Sequence, residues 1–178
     1  PVIEGKSIPE AIQLLCETFP GQVVFTTSFG YEDQVITEHI ARQQLPVRIF
    51  TIDTGRLFAE TYELLDRTRS RFKVPIEVWF PQAEAVQALM TQKGATSFYE
   101  SVENRVECCH IRKVEPLDRA LQGVQIWVTG IRGDQSQNRQ AMHLTEWVEK
   151  RSLYKFNPLI NWTAEDVWRY IREKNIPF

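Results

Sequence analysis

Glu107-Cys108-Cys109-His110-Ile111-Arg112-Lys113 sets two adjacent thiols beside a histidine, an arginine and a lysine. Cations next to a thiol favour the thiolate, the form that binds metals and exchanges electrons. Adjacent cysteines also occur as plain buried apolar residues, so the pair by itself leaves both readings open. A four-thiolate iron–sulfur site needs more than this chain offers. The third cysteine, Cys16, shares helical spacing with Ile12, Leu15 and Phe19 and reads as core.

Three further stretches could contact an anion. Thr27-Ser28-Phe29-Gly30 offers hydroxyls and backbone donors. Asp53-Thr54-Gly55-Arg56 offers a carboxylate, a hydroxyl and a cation, and Gly130-Ile131-Arg132 offers close backbone approach and a second cation. A small, hydroxyl-rich turn ahead of a helix points backbone N–H groups and the positive end of the helix dipole at a phosphate or sulfate. The same turn also suits an ordinary strand-to-helix connection with a hydroxyl cap. Arg139 is another candidate anion contact. The sequence lacks both Gly-x-x-x-x-Gly-Lys-Ser/Thr and Gly-x-Gly-x-x-Gly. That excludes a Walker phosphate loop and a dinucleotide fingerprint.

These stretches need elements to position them. Ser7-Ile8-Pro9-Glu10 starts a helix with a capping box, and Pro20-Gly21 ends it. Strands are expected at Gln22 to Phe25, Val47 to Ile52, Ile76 to Phe80 and Gln125 to Thr129. Helices are expected from Glu32, over Leu57 to Phe72, over Gln82 to Lys93, over Cys108 to Leu121 with Pro116 as kink or boundary, and after Thr163. His39 falls at the edge of the apolar face of Val35, Ile36 and Ile40. Ser97 to Val106 reads as a loop, His143 to Val148 as a short edge strand and Tyr154 to Leu159 as extended. Alternating strands and helices predict an α/β fold, a mainly parallel sheet with helices on both faces. Ligands of such sheets bind beyond the carboxyl ends of the strands, which puts Thr27–Asp33 and Asp53–Arg56 on one edge.

The totals limit the rest. A chain of 178 residues predicts one domain, residues 1–178. A net charge of −2 gives no general attraction to nucleic acid or acidic membranes. No apolar run approaches the ~20 residues of a membrane span. Three cysteines, two of them adjacent, make a poor disulfide framework and point to a reducing cytoplasm.

In combination the motifs resemble the adenylylsulfate and phosphoadenylylsulfate reductases of sulfate assimilation. The carriers are Ser28-Phe29-Gly30-Tyr31-Glu32-Asp33, Ile52-Asp53-Thr54-Gly55-Arg56-Leu57-Phe58-Ala59-Glu60-Thr61-Tyr62, the Cys108-Cys109 stretch through Leu117, Thr129-Gly130-Ile131-Arg132-Gly133-Asp134-Gln135-Ser136, and Lys155-Phe156-Asn157-Pro158-Leu159 with Trp162. The resemblance implies an adenine-nucleotide α-hydrolase-like (Rossmann-like) fold and thioredoxin- or glutaredoxin-linked reduction of an activated sulfate to sulfite. It implies adenylylsulfate as substrate, with the 3′-phosphorylated form as the alternative, and leaves self-association open. Cys108 and Cys109 resemble half of a [4Fe-4S] ligand set. Lys113 matches a lysine near cluster and substrate, and Ile52, Thr54 and Gly130 match positions around the adenosine. The family's nucleophilic cysteine, in Glu-Cys-Gly-Leu-His, and its distant Cys-x-x-Cys are not in this sequence, so a C-terminally truncated reductase domain is expected. Many members carry Ser-x-Ser-Gly where Phe29 precedes Gly30 here, so a hydroxyl contact falls to Thr27 or Ser28. The Ser-Gly-Gly-x-Asp-Ser of ATP pyrophosphatases, the competing reading, is absent, and a catalytically empty nucleotide sensor is the third.

Overall fold

A computed structural model describes residues 2–135, 137 and 142–178. Arg139 and Ser136 lie outside them. Ser7 caps α1 (Ile8–Thr18): its hydroxyl accepts from the Glu10 amide while the Glu10 carboxylate accepts from the Ser7 amide. The chain then alternates through β1 (Val23–Thr26), α2 (Tyr31–Arg42), β2 (Arg48–Ile52), α3 (Ala59–Phe72), β3 (Ile76–Trp79) and α4 (Ala83–Lys93). A helical stretch follows as α5 (Val102–Cys109), a π-helical turn at His110–Val114 and α6 (Glu115–Ala120). Next come β4 (Ile126–Val128), β5 (Thr145–Val148), β6 (Leu153–Phe156) and α7 (Ala164–Lys174). No helix among the described residues is long and apolar enough to cross a membrane.

The strands form one sheet in the order β3-β2-β1-β4-β6-β5. All neighbours are parallel except β5, which pairs antiparallel with β6 at the edge. Period-2 alternation sends residues to two cores. On one face Val23, Phe25, Ile49, Val128 and Phe156 pack against Ile12 and Leu15 of α1, Val35 and Ile36 of α2, and Val167 and Ile171 of α7. On the other, Val24, Phe50 and Leu153 pack against Ala120, Leu121 and Val124, with Leu117 and Trp127 alongside.

The structure differs from the sequence expectation in two places. Val102 to Val106, expected as loop, is helical, because the Ser101 hydroxyl accepts from the Asn104 amide and starts α5. In α3 the expected apolar face is only partly a core face: Phe72 packs against the first core and Thr68 is buried, but Phe58 and Tyr62 are exposed. Tyr62 instead donates its hydroxyl to Asp53. Pro116 falls in the first turn of α6, directly after the π-helical turn. Proline gives no amide to the helical ladder, and π turns appear where that ladder is locally reset, often at functional sites.

Candidate functional site

Strand order reverses between β1 and β4, because β2 and β3 lie to one side of β1 and β6 and β5 beyond β4. In an open α/β sheet that reversal opens a crevice at the carboxyl ends. A cavity of about 380 Å³ occupies it. Its floor is Ile52, Thr26, Trp127 and Lys155, residues of one sheet face from four strands, with Trp127 and Lys155 paired directly across β4 and β6. The Trp127 indole N–H donates to the Thr26 hydroxyl at 2.7 Å. Lys113 and Leu117, from the π turn and α6, form the opposite wall. The rim is Ser28, Gly30, Glu32, Asp33, Thr129, Gly130, Ile131 and Gln135. Larger cavities of about 620, 610 and 560 Å³ exist, but the first two are bordered by the N-terminal segment around Ile3 and the third by Ile176, Pro177 and Phe178.

The β1–α2 turn is tightly specified. Phe29 is buried and has φ 62°, a left-handed conformation that a bulky residue adopts only at a cost of order 1–3 kcal/mol. Its amide is held by the buried Thr27 hydroxyl at 3.0 Å. The Ser28 amide and hydroxyl both donate to Asp33 Oδ2, at 2.7 and 3.0 Å. Burial pushes the Asp33 carboxyl up to about 6, Glu32 adds to the rise, and the Ser28 hydrogen bonds oppose it. Gly130 is needed here for close approach: a Cβ would collide with the Asp33 carboxylate and sit 3.3 Å from the Asp33 backbone nitrogen. Asn157, buried within the β6 exit, accepts from Thr129 and donates to the His143 carbonyl and to Glu146, which anchors the end of β4.

Of the expected site residues, Ser28, Gly30, Ile52, Lys113 and Gly130 line the cavity. Thr27 and Phe29 support the turn from beneath. Asp53 is buried and accepts from the Gly55 amide and the Tyr62 hydroxyl. Arg56 turns to the Ala95 carbonyl and lies over Phe98. Arg132 is ion-paired to Glu32 at 2.7 Å and to Asp134. Thr54 has a fastening role: its carbonyl accepts from buried Arg112 at 2.7 Å, with Gly55 at φ 79° giving the guanidinium room. The fastening fixes the π turn to the β2 loop and leaves the next residue, Lys113, to face the cavity. Sequence reasoning missed Trp127 and Lys155 as wall residues. A lysine inside an otherwise apolar strand was the available signal.

Cys108 is half-buried and Cys109 exposed, both free, on the last turn of α5. No group of three or more His, Cys, Asp or Glu side chains among the described residues could hold a metal ion. The pair alone forms no complete metal site among the described residues. Cys16 is a different case: burial in the core pushes its thiol up to about 11, so it stays a protonated packing residue.

The family model for the phosphoadenosine phosphosulfate reductase domain matches residues 22–178. The chain belongs to this family. An adenosine 5'-phosphosulfate reductase of Agrobacterium fabrum is 46% identical over 157 residues, covering 88% of this chain and 60% of that protein. Its counterpart in Allochromatium vinosum is 42% identical over 178 residues, covering 100% of this chain and 69% of that protein. The chain thus spans about three fifths to two thirds of these relatives. A phosphoadenylyl-sulfate reductase structure from Candida auris, a phosphate complex, superposes with TM-score 0.80 at 28% identity, covering 96% of this chain and 81% of that one. An NH3-dependent NAD synthetase from Campylobacter jejuni shares the fold, with TM-score 0.62 at 14% identity, covering 94% of this chain and 70% of that one.

Proposed function

We propose that this chain is the nucleotide-binding part of an adenylylsulfate reductase that forms sulfite and AMP, with thioredoxin or glutaredoxin as electron donor. The observation that carries the reading is the switch-point cavity with Lys113 in its wall, four residues beyond Cys109 on one continuous helical stretch. Ser28, Gly30, Ile52 and Gly130 hold the nucleotide, and Lys113 stabilises negative charge on the sulfate. A thiolate attacks the sulfur, the bond from sulfur to the phosphoryl oxygen breaks, and AMP leaves with the electron pair. A second thiol then displaces sulfite and forms a disulfide, so the dithiol supplies two electrons. The attacking thiolate belongs to the Glu-Cys-Gly-Leu-His motif of the family, outside this sequence. Cys108 and Cys109 would hold two iron atoms' worth of ligation in a [4Fe-4S] cluster, which when bound supplies an electron-rich centre.

Adenylylsulfate is favoured over its 3′-phosphorylated form because the curated relatives carry that activity in their names. The test uses the full-length protein prepared anaerobically. Sulfite release is followed with each nucleotide and thioredoxin, and iron is measured in wild type and in Cys108→Ser/Cys109→Ser. Sulfite from adenylylsulfate is the expected result. No sulfite from either nucleotide would sink the reductase reading, and unchanged iron in the double variant would sink the ligand assignment.

A further inference from the structure

We infer that Lys155 is a second anion contact of the cavity, binding the phosphoryl group of the nucleotide while Lys113 serves the sulfate. The inference rests on the proposed substrate class and adds a residue to it. Lys155 lies opposite Trp127 in the β4–β6 ladder, and its ammonium sits 5.3 Å from the centre of the Trp127 ring. On β6 it shares a sheet face with fully buried Leu153, and that face continues into the cavity floor.

The ammonium of Lys155 contacts the Trp127 ring and makes no ion pair with a carboxylate among the described residues. Its cross-strand partner is Glu146, but that carboxylate accepts from the Asn157 side chain at 2.9 Å. Arg151, the other cation over Trp127, is bound to Asp118 at 2.8 Å. Among the described residues Lys155 has no ion pair. A half-buried ammonium without a counter-charge is costly, and a methionine would cover Trp127 without that cost. The cavity is therefore lined by two ammoniums without ion pairs among the described residues, Lys113 from the π turn and Lys155 from the sheet. A phosphosulfate carries its negative charge on two linked groups, which suits two cations set apart. Lys113 follows the cysteine pair along the helix, so the sulfuryl end belongs on its side and the phosphoryl end on the Lys155 side.

The test uses the full-length protein with Lys155→Met, Lys155→Gln and Lys155→Arg, and measures binding of adenosine, AMP and adenylylsulfate by calorimetry with thermal melting in parallel. Loss of a charge-assisted contact predicts AMP and adenylylsulfate weakened roughly 10- to 100-fold in the Met and Gln variants. Adenosine affinity should stay unchanged, the melting temperature should hold or rise in Lys155→Met, and Lys155→Arg should retain most of the binding. Unchanged AMP affinity in Lys155→Met and Lys155→Gln overturns the assignment. Equal losses for adenosine and AMP would mean that Lys155 only supports Trp127, and a loss confined to adenylylsulfate would move the contact to the sulfate. Wild-type protein that binds none of the three would remove the nucleotide reading itself, a separate result.

Discussion

The two ends of α2 treat charge in opposite ways. At its C-terminal end, packed on α7, every charge has a partner. Glu38 pairs with Arg42 at 3.0 Å and accepts from the Tyr170 hydroxyl, and Arg42 also donates to that hydroxyl at 3.2 Å. His39 stacks on Tyr170, and burial, more than Arg42 and Lys174, pulls its imidazole down to about 4 against the influence of Glu38. At its N-terminal end, Glu32 and Asp33 are also satisfied, by Arg132 and Ser28, and Lys113 and Lys155 line the same cavity with no ion pair to either lysine among the described residues. A helix–helix seam matches its charges because an unmatched buried charge destabilises it. Lys155, half-buried, keeps its charge in the cavity without an ion pair among the described residues, and an anionic ligand would match it.

The largest expected break in that contrast is Lys113→Met in the full-length protein. Removing a preorganised cation from the reacting group should lower sulfite formation about 100- to 1,000-fold, with an unchanged melting temperature because Lys113 holds no ion pair among the described residues. Full activity in this variant would show that the unmatched lysine is not there for the substrate. Gly130→Ala comes next. The added methyl group collides with Asp33, and overpacking of this kind costs about 1–3 kcal/mol. The rim should give way there, so that AMP binding weakens roughly tenfold or more in a calorimetric titration.

The parallel sheet and the order of its elements were legible in the sequence, because they rest on local periodicity, caps and turns. Ser7 with Glu10 and Thr163 with Asp166 both form capping boxes. What stayed hidden depended on pairings distant in sequence. The Arg132 guanidinium looked free until Glu32, 100 positions away, was placed against it. Arg56 looked like an anion contact until the Ala95 carbonyl appeared beside it. Tyr62 looked apolar on the helix face but serves Asp53. Lys155 read as one residue of an extended segment, and only the β4–β6 pairing set it over Trp127. Residue type told which groups could act, and tertiary contacts decided which were already engaged.

Tyr170→Phe sharpens the comparison from the other end. It takes one hydrogen bond from the buried Glu38 carboxylate and leaves the Arg42 pair in place. The expected loss is about 1–2 kcal/mol of stability, read as a lower urea midpoint. Nucleotide affinity should not change, since the seam and the cavity occupy different ends of α2. A parallel fall in AMP affinity would show that the two ends are coupled through the helix.

The smallest effect is a pH dependence at Asp33. Its carboxyl sits near 6 in the folded protein against an ordinary value of about 4. The folded state therefore keeps a proton that the unfolded chain gives up between these values, and stability falls as pH rises from about 4 to about 6, then levels. In the rim, the same ionisation sets a carboxylate against an anionic ligand. Adenylylsulfate suits the measurement because its phosphosulfate oxygens stay ionised throughout, so a change in affinity reports the protein. Affinity should weaken as pH rises through about 6 and level above 7. At a dielectric near that of water and a separation of about 4–6 Å, in a cavity open to solvent, the change is roughly three- to sixfold. Asp33→Asn should remove the step while adenosine, uncharged, shows none in either protein. A step of the same size in Asp33→Asn would assign the titration to another group and leave Asp33 as a clamp for Ser28 alone.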